Sequence, residues 1–311
     1  MDSRQILVKP SPKVAVVGMA TIDYLYVLDS HPDEDSENPV RQYTVVVGGP
    51  AGRGAIAAAR LGDGGVSLHA MCGSGIHAEV LRQELNREPI DVNLFERDQV
   101  SQHSAVIVTA DRGTRSTMWI PQPPADSEIL DRLPSVFDGA DAALLDCTDP
   151  GLSRAAVTTC RDMGVPVVMD TGGYKETSEE FLGGVEYIVS PEKFFTERHP
   201  GQSLERAMQQ VFEDFHPRVL VATQASLGGT YLDDNGSHRY RGYPVDTKDS
   251  CGAGDTFHGA LAWAIAAGAK IGAALDIASW SAAQKCAVFG NDGIPDRLQL
   301  KQHIAELGQV P

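Results

Sequence analysis

One carboxylate in this chain stands where phosphoryl chemistry would need it. In "DSCGAGDTFHGAL" (Asp249 to Leu261), Cys251, Gly252, Ala253 and Gly254 form a run of small residues, and Asp255 follows directly. Phe257, Ala260, Leu261, Ala264 and Ile265 then recur at helical spacing. The small residues therefore lead into a helix N-terminus. Backbone N–H groups there lack partners within the helix, and the helix dipole favours anions. A transferring phosphate fits such a loop. Aspartate is also a favoured helix-start residue, so a capping role for Asp255 stands beside a chemical one. A cap does not need Gly-Ala-Gly in front of it. A base that must sit against a bound phosphoryl group and orient an attacking hydroxyl does.

The elements that must hold this loop alternate along the chain. Short apolar runs at Val14–Val17, Ala142–Leu145, Val165–Met169, Tyr187–Val189 and Val219–Ala222 predict buried strands. Helical patterns occupy Gly54–Leu61, Ala78–Leu85, Gly151–Met163 and Ser203–Phe215. Three more follow at Asp255–Ala267, Ala274–Phe289 and Arg297–Leu307. Such alternation predicts an α/β fold, a mostly parallel sheet covered on both faces. Two segments break the rhythm. "VRQYTVVV" (Val40–Val47) follows an acidic loop, and Ser104–Ile120 reads as strand, turn at "DRG", strand. They predict a small sheet lying over the mouth of the large one. Residues 1–311 read as one domain, with lid strands at about 36–48 and 102–122.

Composition narrows the function classes. The 311 residues are 42% hydrophobic and 22% charged, with a formal net charge of -16, so a general nucleic-acid binder's basic footprint is missing. Five scattered cysteines without a CxxC pair predict reduced thiols, neither a disulfide framework nor a zinc site. "MDSRQILVKPSPK" lacks the apolar core of a signal peptide, and no uncharged apolar run approaches a membrane span. A cytoplasmic protein with no membrane partner is expected.

These residues carry a resemblance. "DSCGAGDTFHGAL" resembles the C-terminal signature of the ribokinase-like (PfkB) carbohydrate kinases, Asp-Thr-x-Gly-Ala-Gly-Asp-x-Phe, with Ser250 in place of Thr. "VVGMATIDYLY" resembles the family's first strand, and "VVVGGPAGRGAIAAARLG" its first signature. The likeness covers essentially the whole chain. It implies a three-layer sandwich with a β-strand lid, and an ATP-dependent sugar kinase acting on a primary hydroxyl. By the same likeness Asp255 is the base, and the backbone of Cys251, Gly252, Ala253 and Gly254 forms the anion hole. Asp23 would bind sugar hydroxyls, and Gly48 and Gly49 would contact the sugar. Taken singly, Asp23 reads equally as a loop acid and the two glycines as a plain turn.

Departures from the family pattern set further expectations. Arg53 stands where relatives often carry Asn. A solvated helix residue is the favoured reading, and a cation facing an acidic or phosphorylated substrate is the other. Arg115 resembles a lid arginine that reaches the substrate, or is a hairpin charge. "VATQASLGGTYL" resembles the nucleotide-binding turn, which assigns Thr223 and Gly228 to ATP, with Ala225 replacing a glycine. "FGNDGIP" resembles a loop bordering the adenine and, in many relatives, a monovalent cation such as K+. Gly290, Asn291 and Gly293 are thereby assigned to ATP, or form a helix C-cap. Asp246 and Asp249 would support the cation, or are two loop acids. "VSPEKFF" lacks the family's Asn-x-x-Glu, with Ser190 and Lys193 at those positions, so Glu192 is left to reach Mg2+ through water. Asp149 and Asp170 follow strands, where ligands of open α/β sheets bind and where turns also use Asp.

Within the family the motifs "RQYTVVVGGPA", "KCAVFGNDGIPD" and "FHGAL" resemble ketohexokinase and sulfofructose kinase. "DSEN" and "LLDCTDPG" carry acids and no cation, which favours a neutral ketose over a sulfosugar, while Arg53 and Arg41 pull toward an acidic one. A nucleoside kinase would need an aromatic clamp, for which Tyr24, Tyr43 and Trp119 are unassigned. A non-catalytic sugar- or nucleotide-binding regulator would not need the intact Gly-Ala-Gly-Asp. A dinucleotide oxidoreductase fails, since Gly18 is followed by "MATID" and not by GxGxxG. The exposed edges of the lid strands predict pairing in a homodimer.

Overall fold

All four residues of the first strand, Val14–Val17, are buried. Val14 and Val16 enter one core while Ala15 and Val17 enter another, as a strand's two-residue period requires. That places the strand inside a sheet covered on both faces. The computed structural model describes residues 11–62, 64–110 and 114–307. In chain order the elements begin β1 (Val14–Val17), β2 (Thr21–Leu28), β3 (Gln42–Gly48), α1 (Pro50–Leu61), β4 (Val66–Ser74), α2 (Ile76–Leu85) and β5 (Ile90–Val100). They continue with β6 (His103–Thr109), β7 (Thr114–Ile120), α3 (Ser127–Val136), β8 (Ala142–Asp146), α4 (Pro150–Met163), β9 (Val167–Asp170) and α5 (Glu179–Leu182). The rest are β10 (Tyr187–Pro191), α6 (Glu192–Arg198), α7 (Leu204–Phe215), β11 (Val219–Thr223), β12 (Gly229–Asp233), β13 (Gly236–Tyr240), α8 (Ala253–Ala266), α9 (Ile271–Cys286) and α10 (Arg297–Leu307).

Among the described residues the large sheet has nine strands in the order β13-β12-β11-β10-β9-β8-β1-β4-β5. From β11 to β5 all pairings are parallel, and β12 and β13 add an antiparallel edge. Helices α1, α8 and α9 cover one face, and α3, α4, α6 and α7 pack on the other. A smaller four-stranded sheet runs β3-β2-β6-β7. The α/β fold with a strand lid is the one expected.

Several elements were not singled out in sequence. β2 was read together with β1 as one strand. The chain instead breaks after Gly18, where the Met19 amide donates to Asp146 Oδ2 at 2.8 Å, and β2 crosses into the lid. β5 is an edge strand, half-exposed along most of its length, so its apolar residues form no run. The β12–β13 hairpin is joined at "DDNG", a turn signal that was passed over. The "DRG" turn between β6 and β7 lies outside the described residues, but the register Thr109 opposite Thr114 is that of a hairpin.

Register decides what the lid presents. Asp23 on β2 lies beside Ser104 on β6, which lies opposite Trp119 on β7. Cross-strand neighbours share a face, so Asp23, Ser104, Arg115 and Trp119 project to one side. Leu25, Val46 and Val106 form a small cluster on that side, with Phe289 packed against it.

Candidate active site

Helix α8 begins at the loop that carries the acid. Gly252 precedes it with φ +80°, a left-handed conformation that a side chain would strain, and a Cβ there would lie 2.4 Å from Arg53 Cδ. The helix has no side-chain cap, and of its first amides that of Ala253 turns back to donate to the Ser250 carbonyl at 3.3 Å. Asp255 lies in the first turn, and its side chain makes no bond to the amides it would cap.

Close packing of α8 on α1 fixes the position of this acid. Where the two helices meet, a Cβ on Gly259 would approach the Gly54 carbonyl oxygen to 2.1 Å. With no side chains between them, the backbones nearly touch. Arg53, one residue before Gly54, is thereby held beside Asp255. Its Nη1 donates to Asp255 Oδ2 at 3.3 Å, and its Nη2 donates to Asp23 Oδ2 at 2.6 Å. Asp23 Oδ1 accepts from Ser104 Oγ at 2.6 Å. One arginine thus links the lid acid to the helix acid. Arg53 is 4% exposed, so the solvated reading is overturned. A guanidinium offers five donors; here Nη1 and Nη2 each reach one carboxylate, while Nε is buried without a hydrogen-bond partner.

Electrostatics suit Asp255 to accepting a proton. Burial pushes its pKa above the ordinary carboxylate value, with Asp170 adding to the rise, while Arg53 and His258 work against it. One turn along α8, His258 Nδ1 lies 3.1 Å from Asp170 Oδ2. Burial alone would push His258 down, but the Asp170 carboxylate overcomes it and the pKa is raised. Sequence reasoning placed Asp170 near a ligand without a partner and missed His258, although "FHGAL" was in view.

The other assigned residues divide. Gly48 lies against the Asp23 carboxyl, with 2.2 Å from a notional Cβ to Oδ2, and Gly49 turns the chain into α1. Arg115 reaches from the lid to Ser250, with Nη1 3.5 Å from Oγ. Thr223 and Gly228 line a cavity of about 330 Å³ together with Ser250, Ala253, Gly254 and Phe257. Ala225, at the position of the family's glycine, has φ +51°. Gly290 and Asn291 do not enter that cavity. They line a second one of about 250 Å³ with Arg60 and Glu88. Asn291 Nδ2 donates to the Val47 carbonyl at 2.8 Å, tying the C-terminal loop to β3. Gly293 is packed under the end of α9, where a Cβ would meet the Gln284 and Lys285 carbonyls at 2.8 Å. Cys251 is buried, and its amide donates to Asp249 Oδ1 at 2.8 Å.

Three acids have partners within the chain. Asp149 caps α4, accepting from Leu152 N at 3.0 Å and from Ala125 N at 2.7 Å. Asp246 is exposed, with Lys248 Nζ at 3.8 Å. Asp249 is buried and pairs with Lys285, which sequence reasoning missed. Glu192 is exposed and accepts from Gln224 Nε2 at 3.2 Å. Arg41 pairs with Asp29 at the surface. Among the described residues no group of three or more His, Cys, Asp or Glu could hold a metal ion. No helix among them is long and apolar enough to cross a membrane.

An uncapped helix N-terminus, an acid in its first turn and an adjoining cavity suit phosphoryl transfer to a hydroxyl. The model of the pfkB family carbohydrate kinases matches residues 11–296, and the chain belongs to that family. A ribokinase of Bacillus subtilis (strain 168) is 22% identical over 297 residues, covering 94% of this chain and 99% of the relative. An ATP-dependent ribose-1-phosphate kinase of Halopiger xanaduensis is 25% identical over 256 residues, covering 79% of this chain and 82% of the relative. The structure of Arabidopsis thaliana ribokinase complexed with ribose and ATP superposes with a TM-score of 0.78 at 19% identity, over 97% of this chain and 100% of the other. These likenesses point to ribokinases rather than specifically to the ketohexokinase and sulfofructose kinase group expected from the motifs.

Proposed function

We propose that this chain transfers the γ-phosphoryl group of ATP to a primary hydroxyl of a small neutral sugar. The observation that carries this reading is the chain Asp23–Arg53–Asp255, which joins a lid acid to the acid at the anion hole. A sugar under the lid would present its hydroxyl to Asp255, which takes the proton as the oxygen attacks the γ-phosphorus and the bond from that phosphorus to the β-phosphate oxygen breaks, releasing ADP. The amides of Gly252 and Gly254 would donate to the phosphate oxygens, and Arg115 beside Ser250 would add a positive charge at the same place. Magnesium, arriving on the ATP phosphates, would supply charge neutralisation there, with water-mediated support from Glu192. Neutral substrates are favoured because Arg53, the cation that would mark an acidic one, is already shared by two carboxylates. The ribose of the relatives and the ketose of the motifs both offer the hydroxyl this arrangement needs.

A nucleoside is the second reading, supported by Trp119, which is 64% exposed on the lid face that carries Asp23. It offers the flat platform a base would stack on. Tyr24 is engaged with His77, and Tyr43 packs on Tyr26 on the opposite face. That opposite face also exposes Met118 and Ile120, which a second copy of the chain would cover in a homodimer.

The test is ATP consumption against ribose, ketoses, other aldoses, sugar acids, ribose 1-phosphate and nucleosides. Turnover of a neutral sugar is expected, with a fall of about 10²–10⁴-fold in kcat for Asp255→Asn. Full activity in that variant would remove Asp255 from the mechanism. Binding of sugar without turnover by the natural chain would favour a regulator. The pH profile adds a second readout. Asp255 must be ionised to act, so kcat declines as pH falls through a pKa held above the ordinary carboxylate range. A profile flat down to the range of an exposed aspartate would sink that assignment.

A further inference from the structure

Lys285 is fully buried at the end of α9, and its ammonium pairs with Asp249. Nζ donates to Asp249 Oδ2 at 2.8 Å and to the Asp249 carbonyl at 3.0 Å. The same carboxylate receives the Cys251 amide on Oδ1 and the Gly290 amide on Oδ2, at 2.8 and 3.1 Å. A carbonyl and a carboxylate oxygen gathered beneath the anion-hole loop are what a monovalent cation would seek. Here a covalently attached cation already holds both. A further ion would set two positive charges against one buried carboxylate, and like charges at such range repel strongly away from water. Asp246, the other acid expected to help, is exposed to solvent beside Lys248.

We propose that Lys285 takes the place of the monovalent cation, so that the chain works without K+ or Na+. Lys285 is then a positioning residue. It holds Asp249, and Asp249 holds the Cys251 amide at the start of the loop that receives the phosphate. This inference rests on the kinase reading for its catalytic half. Its other half concerns the folded chain alone.

The experiment compares KCl, NaCl and choline chloride at equal ionic strength. A cation that binds only the folded state raises Tm by mass action. For the natural chain, equal Tm in all three salts is expected, together with rates that agree within about twofold, under 0.5 kcal/mol in barrier. A Tm or a rate raised specifically by KCl over choline chloride would overturn the proposal. Lys285→Met removes the ammonium and leaves the Asp249 carboxylate free to take an ion. KCl, and not choline chloride, is expected to raise its Tm and to restore part of a lowered kcat, with KM for the sugar little changed. A variant that keeps the full natural rate in choline chloride would remove Lys285 from the positioning of the loop. If Lys285→Met does not fold, the natural chain's response to the salts still decides cation dependence. If no acceptor is ever phosphorylated, the melting comparison stands by itself.

Discussion

The two walls of the site are built on opposite principles. On one side, α1 and α8 meet through Gly54 and Gly259 with no side chain between them, inside a core rich in alanine. On the other, the lid sheet buries only Leu25, Val46 and Val106 as its own cluster and leaves Tyr43, Met118, Trp119 and Ile120 exposed. Backbone-to-backbone packing leaves no rotamers to adjust, so the acid and the arginine hold one geometry. A sheet with one thinly covered face can change its side chains at little cost in stability. Under the proposed function, the chemistry would be carried on the first wall and the choice of acceptor left to the second.

The largest expected break in this contrast comes from Arg53→Met. It leaves two carboxylates close together with no counter-charge, and loss of one partner from a buried ionic cluster costs about 3–5 kcal/mol. Denaturant unfolding measures it, and an unchanged midpoint would mean that the bridge contributes nothing to the helical wall. Gly259→Ala comes next. Overpacking against the Gly54 carbonyl costs about 1–3 kcal/mol, of which alanine's helix preference returns up to about 1. A lowered Tm is expected, and a rise would show that the two helices can separate freely. Smallest is Trp119→Ala on the lid, expected to shift stability by no more than about 0.5 kcal/mol. A loss as large as that of Gly259→Ala would erase the distinction between the walls.

What was legible in sequence follows from distance along the chain. Asp255 and its loop were readable because the small residues, the acid and the helix pattern lie within a dozen positions. The apolar strands and the lid hairpin were readable for the same reason. Arg53 was misjudged because its partners lie 30 and 202 positions away. A helix arginine gives no local sign that two acids will enclose it. Lys285 was overlooked in "KCAVFGNDGIPD" for the same cause, since Asp249 lies 36 positions upstream and nothing marks a lysine as buried. Ser104 and Asp23 met only when β2 and β6 were found in register. Ala225 replaces the family's glycine at a position whose conformation the sequence does not show: its positive φ puts an alanine in the region where glycine is favoured by about 1–2 kcal/mol.

The exposure of Trp119 has an optical consequence. The chain has three tryptophans. Trp263 and Trp280 lie in the helical layer at 4% and 8% exposure, and Trp119 stands on the lid at 64%. An aqueous quencher such as iodide would therefore reach one indole and spare the other two. Any acceptor that stacks on Trp119 would shield it and shift its emission to the blue, against a constant background from the interior. Occupancy beneath the lid can be followed by fluorescence in the unlabelled natural chain.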